Sequence, residues 1–330
     1  MTFPVANDQT RINVAFSSDN NYAQHMAVSI ASLLQSYVSE RGLNIYILCK
    51  DIDDTHIINL KTIVAQHSMA ELFFHSINDD EFTNFPLPNN YHPVEMYFRL
   101  KIAEIFPSLD RMLYLDSDII VQSDISEIYF TEKIQNKMVM AVEEPTILNQ
   151  KRLQSLGMAD DVPYFNSGIL LMNLSNMRKK GFKNKYINFI NEYKKHILYG
   201  DQDVLNAVCK GDWEALPLSW NAYYFIYQRV YDGTYYNYKK EDIHAAKTQP
   251  KIIHFNQHPK PWSTKCIDPR RALYFKYLKH TPYKNFKVPQ SFVFYPILKR
   301  NLNNFCHYLR ESHPSIFYFL RSIKRSFASH

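Results

Sequence analysis

Glycine is scarce in this chain, 7 residues in 330, and no glycine-rich phosphate loop of either common type is present. Cysteine is scarcer still. Cys49, Cys209, Cys266 and Cys306 are scattered without Cys-x-x-Cys spacing, which argues against a zinc ribbon or a disulfide framework and suits a reducing, cytoplasmic compartment. No run of eighteen apolar residues exists, so no membrane-spanning helix is expected. The opening "MTFPVANDQT" lacks a basic start and an apolar core, so no signal peptide is expected. Internal repeats and low-complexity stretches are also missing.

What remains is a chain able to build a core. Hydrophobic residues make up 46% and charged residues 21%, a balance that argues against disorder. The net charge of +6 is concentrated at one end. Residues 291–330 hold six basic side chains against Glu311, a net +5. Basic groups so few and so confined argue against a nucleic-acid partner.

Apolar strands alternate with amphipathic helices over the first half. "INVAFSSD" (12–19), "LNIYILCK" (43–50) and "AELFFHSI" (70–77) read as strands. Between them, 21–37 and 53–68 read as helices, with Met26, Ile30, Leu33 and Leu34 on one face of the first. A further helix is expected over 94–106, stopped by Pro107, and strands over 111–115, 137–144, 162–174 and 250–254. A helix opens at "DQDVLNAVCKG" (201–211), with an acidic residue in the capping position. The alternation predicts an α/β fold with a mostly parallel sheet and helices on both faces.

"RMLYLDSDIIVQSDI" (111–125) then stands out, because Asp116 and Asp118 end an apolar strand. On an extended segment, carboxylates at i and i+2 point the same way. Two anions held together repel unless a proton or cation lies between them. A hard divalent ion, Mg²⁺ or Mn²⁺, suits them, and His254 after a late strand could add an imidazole, which shifts the preference toward Mn²⁺. Asp19, Asp116, Asp118 and His254 all follow strands, and ligands of open α/β sheets bind beyond the carboxyl ends of strands. Two other readings stay open from the residues alone. The pair could simply end a strand with turn residues, or it could belong to a phosphatase with an aspartate nucleophile. Ile120 stands where the latter chemistry wants a threonine.

Six stretches in order, "AFSSDNNY", "MYFRLKIAEIFP", "RMLYLDSDIIV", "YFNSGILLMNL", "DQDVLN" and "IIHFNQHPKPW", resemble the retaining glycosyltransferases of family eight. Within that family the chain is most similar to the bacterial α-glucosyl- and α-galactosyltransferases of lipopolysaccharide core synthesis. The resemblance implies a GT-A fold, a Rossmann-like mixed sheet flanked by helices that binds a nucleotide sugar. It implies a GT-A catalytic domain, placed over 1–262; residues 263–290, with Pro269, Pro282 and Pro289 spaced through them, read as a connector, and 291–330 as a basic, aromatic C-terminal extension with a helical pattern. The implied donor is UDP-glucose or UDP-galactose and the implied acceptor a lipid-linked glycan. Asp116, Asp118 and His254 match the ligands of Mn²⁺, with Mg²⁺ as the alternative. Asp19 and Tyr22 match residues that hold the uracil. Arg99 matches an arginine near the diphosphate and sugar, Lys260 the lysine that neutralises the diphosphate, Ser117 counts among the donor-binding residues, and Asn166 with Ser167 matches the turn at the donor sugar. Asp201 and Gln202 match the pair beside the reacting face. One position departs, because the family's usual glycine three residues after the histidine is here Gln257. A protein that keeps the fold and binds a sugar without turnover is the alternative.

The tail has its own pattern. Over 313–330, Ile316, Phe319, Leu320, Ile323 and Phe327 share one helical face, and Arg321, Lys324 and Arg325 lie off it. That spacing suits a helix lying on an anionic membrane surface, and equally a helix packed on its own domain.

Overall fold

The computed structural model describes residues 10–87, 94–144, 150–159, 162–227, 238–266, 268–288 and 316. Ten strands lie within them: β1 (Arg11–Ser17), β2 (Gly42–Cys49), β3 (Ala70–Ser76), β4 (Arg111–Leu115), β5 (Ile119–Val121), β6 (Val139–Glu143), β7 (Phe165–Asn173), β8 (Trp213–Ala215), β9 (Ala222–Tyr223) and β10 (Ile252–His254). Seven form one sheet in the order β3-β2-β1-β4-β7-β6-β8, and three form a second in the order β5-β10-β9. Four pairings of the large sheet are parallel and two are antiparallel, and both antiparallel ones involve β7. The strand order reverses between β1 and β4, the place where open α/β sheets leave a crevice for ligands.

Side chains alternate across the sheet and bury on both faces. From β4, Leu113 and Leu115 join one core while Met112 and Tyr114 join the other. Helix α1 (Asn20–Ser36) follows β1 and buries Met26, Ile30, Leu33 and Leu34, as their spacing predicted. Helix α2 (Asp54–Val64) joins β2 to β3, and α3 (Phe182–Tyr193) packs against α4 (Asp201–Val208). Among the described residues, no helix is long and apolar enough to cross a membrane.

Three expectations need correction. Residues 94–101 are a 3₁₀ helix, and only Ile102–Ile105 is α-helical. This tighter winding carries Arg99 with its side chain turned inward and buried. Asp201 does not cap α4 but is its first residue, and Gly200 takes the cap place at φ +53°. That backbone conformation is one glycine adopts at little cost. The stretch read as a connector carries α5 (Arg271–Leu278), whose Tyr274, Tyr277 and Leu278 pack with Val28 of α1, Ile120, Ile253 and Phe255. The expected tail helix and its basic face lie outside the described residues, Ile316 apart.

Candidate active site

Two strand junctions bring the acidic pair and the histidine together. Asp116, Ser117 and Asp118 form the turn between β4 and β5 rather than an extended segment, so the two carboxylates converge through the turn and not through strand alternation. β10 runs antiparallel to β5 with His254 opposite Ile119, and Phe255 N–H donates to the Asp118 carbonyl at 3.0 Å. This register sets His254 Nε2 3.2 Å from Asp118 Oδ1 and 3.6 Å from Asp116 Oδ2. Ser29 of α1 braces the turn, its single hydroxyl lying 2.9 Å from the carbonyls of both Ser117 and Ile119.

β7 explains how the residues of the "NSG" stretch reach the same place. Because it runs antiparallel to β4, its beginning lies beside the end of β4, and Asp116 N–H donates to the Gly168 carbonyl at 2.8 Å. A Cβ on Gly168 would stand 2.3 Å from His254 Cε1 and 2.7 Å from Asp116 Oδ2. The His254 ring and the Asp116 carboxylate therefore fill the space that a side chain would take. A glycine within an apolar strand, as in "YFNSGILLMNL", is the sequence signal of such a close approach.

The twelve residues expected at the site line two adjoining cavities of about 470 and 400 Å³, which share Arg99, Asp116, Asp118 and Lys260. Asp19, Tyr22 and Ser117 line the first, and Asn166, Ser167, Asp201, Gln202 and His254 the second. Several already have protein partners. Asp19 caps α1, accepting from Tyr22 N–H at 2.8 Å. The Ser117 hydroxyl donates to the Ser17 carbonyl at 2.8 Å. Tyr22 stands edge-on to Trp262 with ring centres 5.7 Å apart, and Trp262 stacks on His25 at 3.4 Å, tying the segment after Lys260 to α1. Burial pushes the His25 imidazole down to about 3, so it stays neutral. Gln257 is exposed on the rim of the second cavity, and His258 beside it is exposed as well.

Cations and anions are paired tightly. Arg99 donates to Asp116 Oδ1 and the Ser167 carbonyl at 2.8 and 2.7 Å, over the ring of Tyr114. Burial opposes its charge, but the Asp116 and Asp201 carboxylates raise its pKa further still. Lys260 Nζ donates to Asp118 Oδ2 at 2.5 Å and to the Phe255 carbonyl at 2.8 Å. Burial works against ionisation of Asp118, yet the Lys260 ammonium beside it holds it well below the usual carboxylate range. Gln202 Oε1 accepts from Ser167 N–H at 3.1 Å.

Asp201 is strained electrostatically. Its Oδ2 lies 3.2 Å from Arg99 Nε but receives no hydrogen bond, because that N–H goes to the Met96 carbonyl. Burial raises its carboxyl most, Arg99 pulls it back, Asp116 adds to the rise, and it settles at about 6. The folded state thus holds this proton more tightly than the unfolded chain, whose carboxyl keeps the ordinary 3.8. Asp201 then lowers stability as pH rises through that window, by about 3 kcal/mol in all. Asp201→Asn keeps the shape and removes the titration. Urea unfolding in EDTA from about pH 4 to pH 7 should show the variant gaining about 2 kcal/mol on the native chain across that range.

Among the described residues, Asp116, Asp118 and His254 form a group able to hold a metal ion, with ligand atoms all within 4.8 Å of one another. Two carboxylates and an imidazole suit a divalent first-row ion or Mg²⁺. The space kept by Gly168 fits that use.

Comparison with known proteins agrees with the geometry. Residues 13–266 match the model of Glycosyl transferase family 8. General stress protein A of Bacillus subtilis (strain 168) is 28% identical over 282 residues, 84% of this chain and 96% of that protein. Lipopolysaccharide 1,2-glucosyltransferase of Escherichia coli (strain K12) is 28% identical over 300 residues, 86% of this chain and 82% of that protein. In fold the chain is similar to the galactosyltransferase LgtC, solved with donor and acceptor sugar analogues. That match has a TM-score of 0.73 at 22% identity and covers 84% of this chain and 98% of that one. With a mixed sheet of GT-A type and a family match running from β1 to beyond the Lys260 segment, this chain belongs to glycosyl transferase family 8.

Proposed function

We propose that this protein transfers glucose or galactose from a UDP-sugar to a glycan acceptor of the lipopolysaccharide core, with retention at the sugar and with help from Mn²⁺, or else Mg²⁺. The observation that carries the reading is the meeting of Asp116, Asp118 and His254 where the two cavities join. The cavity lined by Asp19 and Tyr22 takes the nucleoside, and the one lined by Gln202 and Asn166 takes the sugar. The relative from Escherichia coli named as a lipopolysaccharide glucosyltransferase supports the choice of acceptor. The acceptor is then lipid-linked and the enzyme cytoplasmic, with its basic tail on the anionic inner face of the membrane.

An ion held by these three ligands would stabilise, as a Lewis acid, the charge that develops on the departing diphosphate. Lys260 and Arg99 add positive charge fixed in place by their hydrogen bonds, so little reorganisation is needed when the leaving group charges. Asn166 is a positioning residue, since both ends of its amide are engaged within the protein. Gln202 is an amide whose oxygen already accepts from Ser167, which makes it a poor nucleophile. That favours same-face transfer, with a donor phosphate oxygen helping to take the acceptor's proton, over a double displacement through a protein carboxylate.

A panel of UDP-sugars scored for UDP release in Mn²⁺ tests the reading. Release from UDP-glucose or UDP-galactose that stops in EDTA is expected, and NMR of the product's anomeric proton should show an α-linkage. A β-product would reject retention. Tight UDP-sugar binding with no release under any acceptor would favour a binding protein on the same fold.

A further inference from the structure

Asn221 matches no motif, yet it is fully buried directly behind His254. His254 Nδ1 lies 2.9 Å from Asn221 Oδ1, and Asn221 Nδ2 lies 2.8 Å from Asn166 Oδ1. Asn166 continues the line, with its Nδ2 3.3 Å from Glu144 Oε2. The chain ends at Tyr223, whose hydroxyl donates to Glu144 Oε1 at 2.7 Å.

The direction of every bond in this line follows from its ends. Gly168 N–H can only donate, and it points at Asn166 at 3.0 Å, so the atom it meets must be the oxygen of that amide. The other end of Asn166 is then its NH₂, which faces a carboxylate that accepts. A carbonyl oxygen has no proton to give, so the atom of Asn221 facing Asn166 must be its NH₂. The atom of Asn221 facing His254 is therefore its oxygen, and His254 Nδ1 must carry a hydrogen. In the neutral ring, Nε2 then presents a bare lone pair toward Asp116 and Asp118. Three acceptors facing one another with no proton between them make a socket for a cation.

We propose that Asn221 is a positioning residue that fixes His254 as its Nδ1–H tautomer, with Asn166 and Glu144 setting the sense of the line. This rests on the reading of Asp116, Asp118 and His254 as ion ligands. Outer hydrogen bonds of this kind orient a ligating imidazole and raise its basicity. The negative end of the line at Glu144 reinforces both effects, because each polarised amide strengthens the next bond.

Two measurements on the full-length chain test it. The first is long-range ¹H–¹⁵N NMR of the ion-free protein at alkaline pH, assigned with His254→Gln. His254 should show a protonated Nδ1 and a bare Nε2, and a protonated Nε2 in the neutral ring overturns the proposal. The second is calorimetric titration with Mn²⁺. Asn221→Leu keeps the volume and removes the acceptor, and it should weaken Mn²⁺ binding by about 10- to 100-fold. Undiminished affinity in that variant, beside clear binding by the native chain, also overturns it. If the native chain binds no Mn²⁺, the ion-ligand reading fails, and the NMR result still decides the tautomer. The NMR result likewise stands if Asn221→Leu does not fold.

Discussion

Asp118→Asn should lose at least about 10³-fold in kcat/KM for UDP-sugar turnover, the several kcal/mol that a Lewis acid supplies at a charged leaving group. The substitution keeps the size of the side chain and removes one charge. Asp118 is the member of the cluster in contact with both His254 and Lys260, at 3.2 and 2.5 Å. Without its charge the ion loses a ligand, and the lysine loses the partner that aims it. Stability should change far less, by about 2 kcal/mol or under. Breaking a buried ion pair is costly in general, but here the loss also relieves the repulsion between neighbouring carboxylates, and Lys260 keeps the Phe255 carbonyl at 2.8 Å. Steady-state kinetics beside urea melts separate the two quantities. A variant with full activity, or one whose activity falls only as far as its folded fraction, would remove Asp118 from the chemistry.

Gly168→Ala should reduce kcat/KM by about 10²-fold or more and destabilise the fold by about 1–3 kcal/mol. The added methyl would meet His254 Cε1 at 2.3 Å and Nδ1 at 2.9 Å. Neither neighbour can yield cheaply. The ring is tethered to Asn221, and Asp116 is held by Arg99 at 2.8 Å. The strand cannot retreat either, because Asp116 N–H is bonded to the Gly168 carbonyl. A displaced imidazole should also weaken Mn²⁺ binding, so kinetics and ion titration should fail together. Native kinetics in Gly168→Ala would mean that the close approach carries no function.

Local pattern made the strands and α1 legible, because their apolar spacing is set by burial on one or two faces of a sheet. It also made the acidic pair visible, since charges at the end of an apolar run break the pattern that burial imposes. Pattern could not show the direction of β7, which depends on pairing with β4 some fifty residues earlier. Yet that direction decides that Asn166, Ser167 and Gly168 arrive at the site and not at the far end of the sheet. The meeting of His254 with Asp118 depends on the β5–β10 register and is likewise non-local. Arg99 is buried because the 3₁₀ winding turns it toward Asp116 and Ser167, which no local pattern of the sequence shows. Asn221 carried no signal at all, since an asparagine between a tryptophan and an alanine reads as an ordinary turn.

The central claim is that Asp116, Asp118 and His254 hold a divalent ion beside a nucleoside diphosphate. Electron paramagnetic resonance of Mn²⁺ added to the ion-free protein with UDP tests it most directly, because pulsed spectra detect nitrogen coupled to the bound ion. A single bound Mn²⁺ with one imidazole nitrogen coupled is the predicted result, with the coupling lost in His254→Gln and binding much weakened in Asp118→Asn. Mn²⁺ that binds equally well to both variants, or that shows no histidine nitrogen in the native protein, would contradict the account.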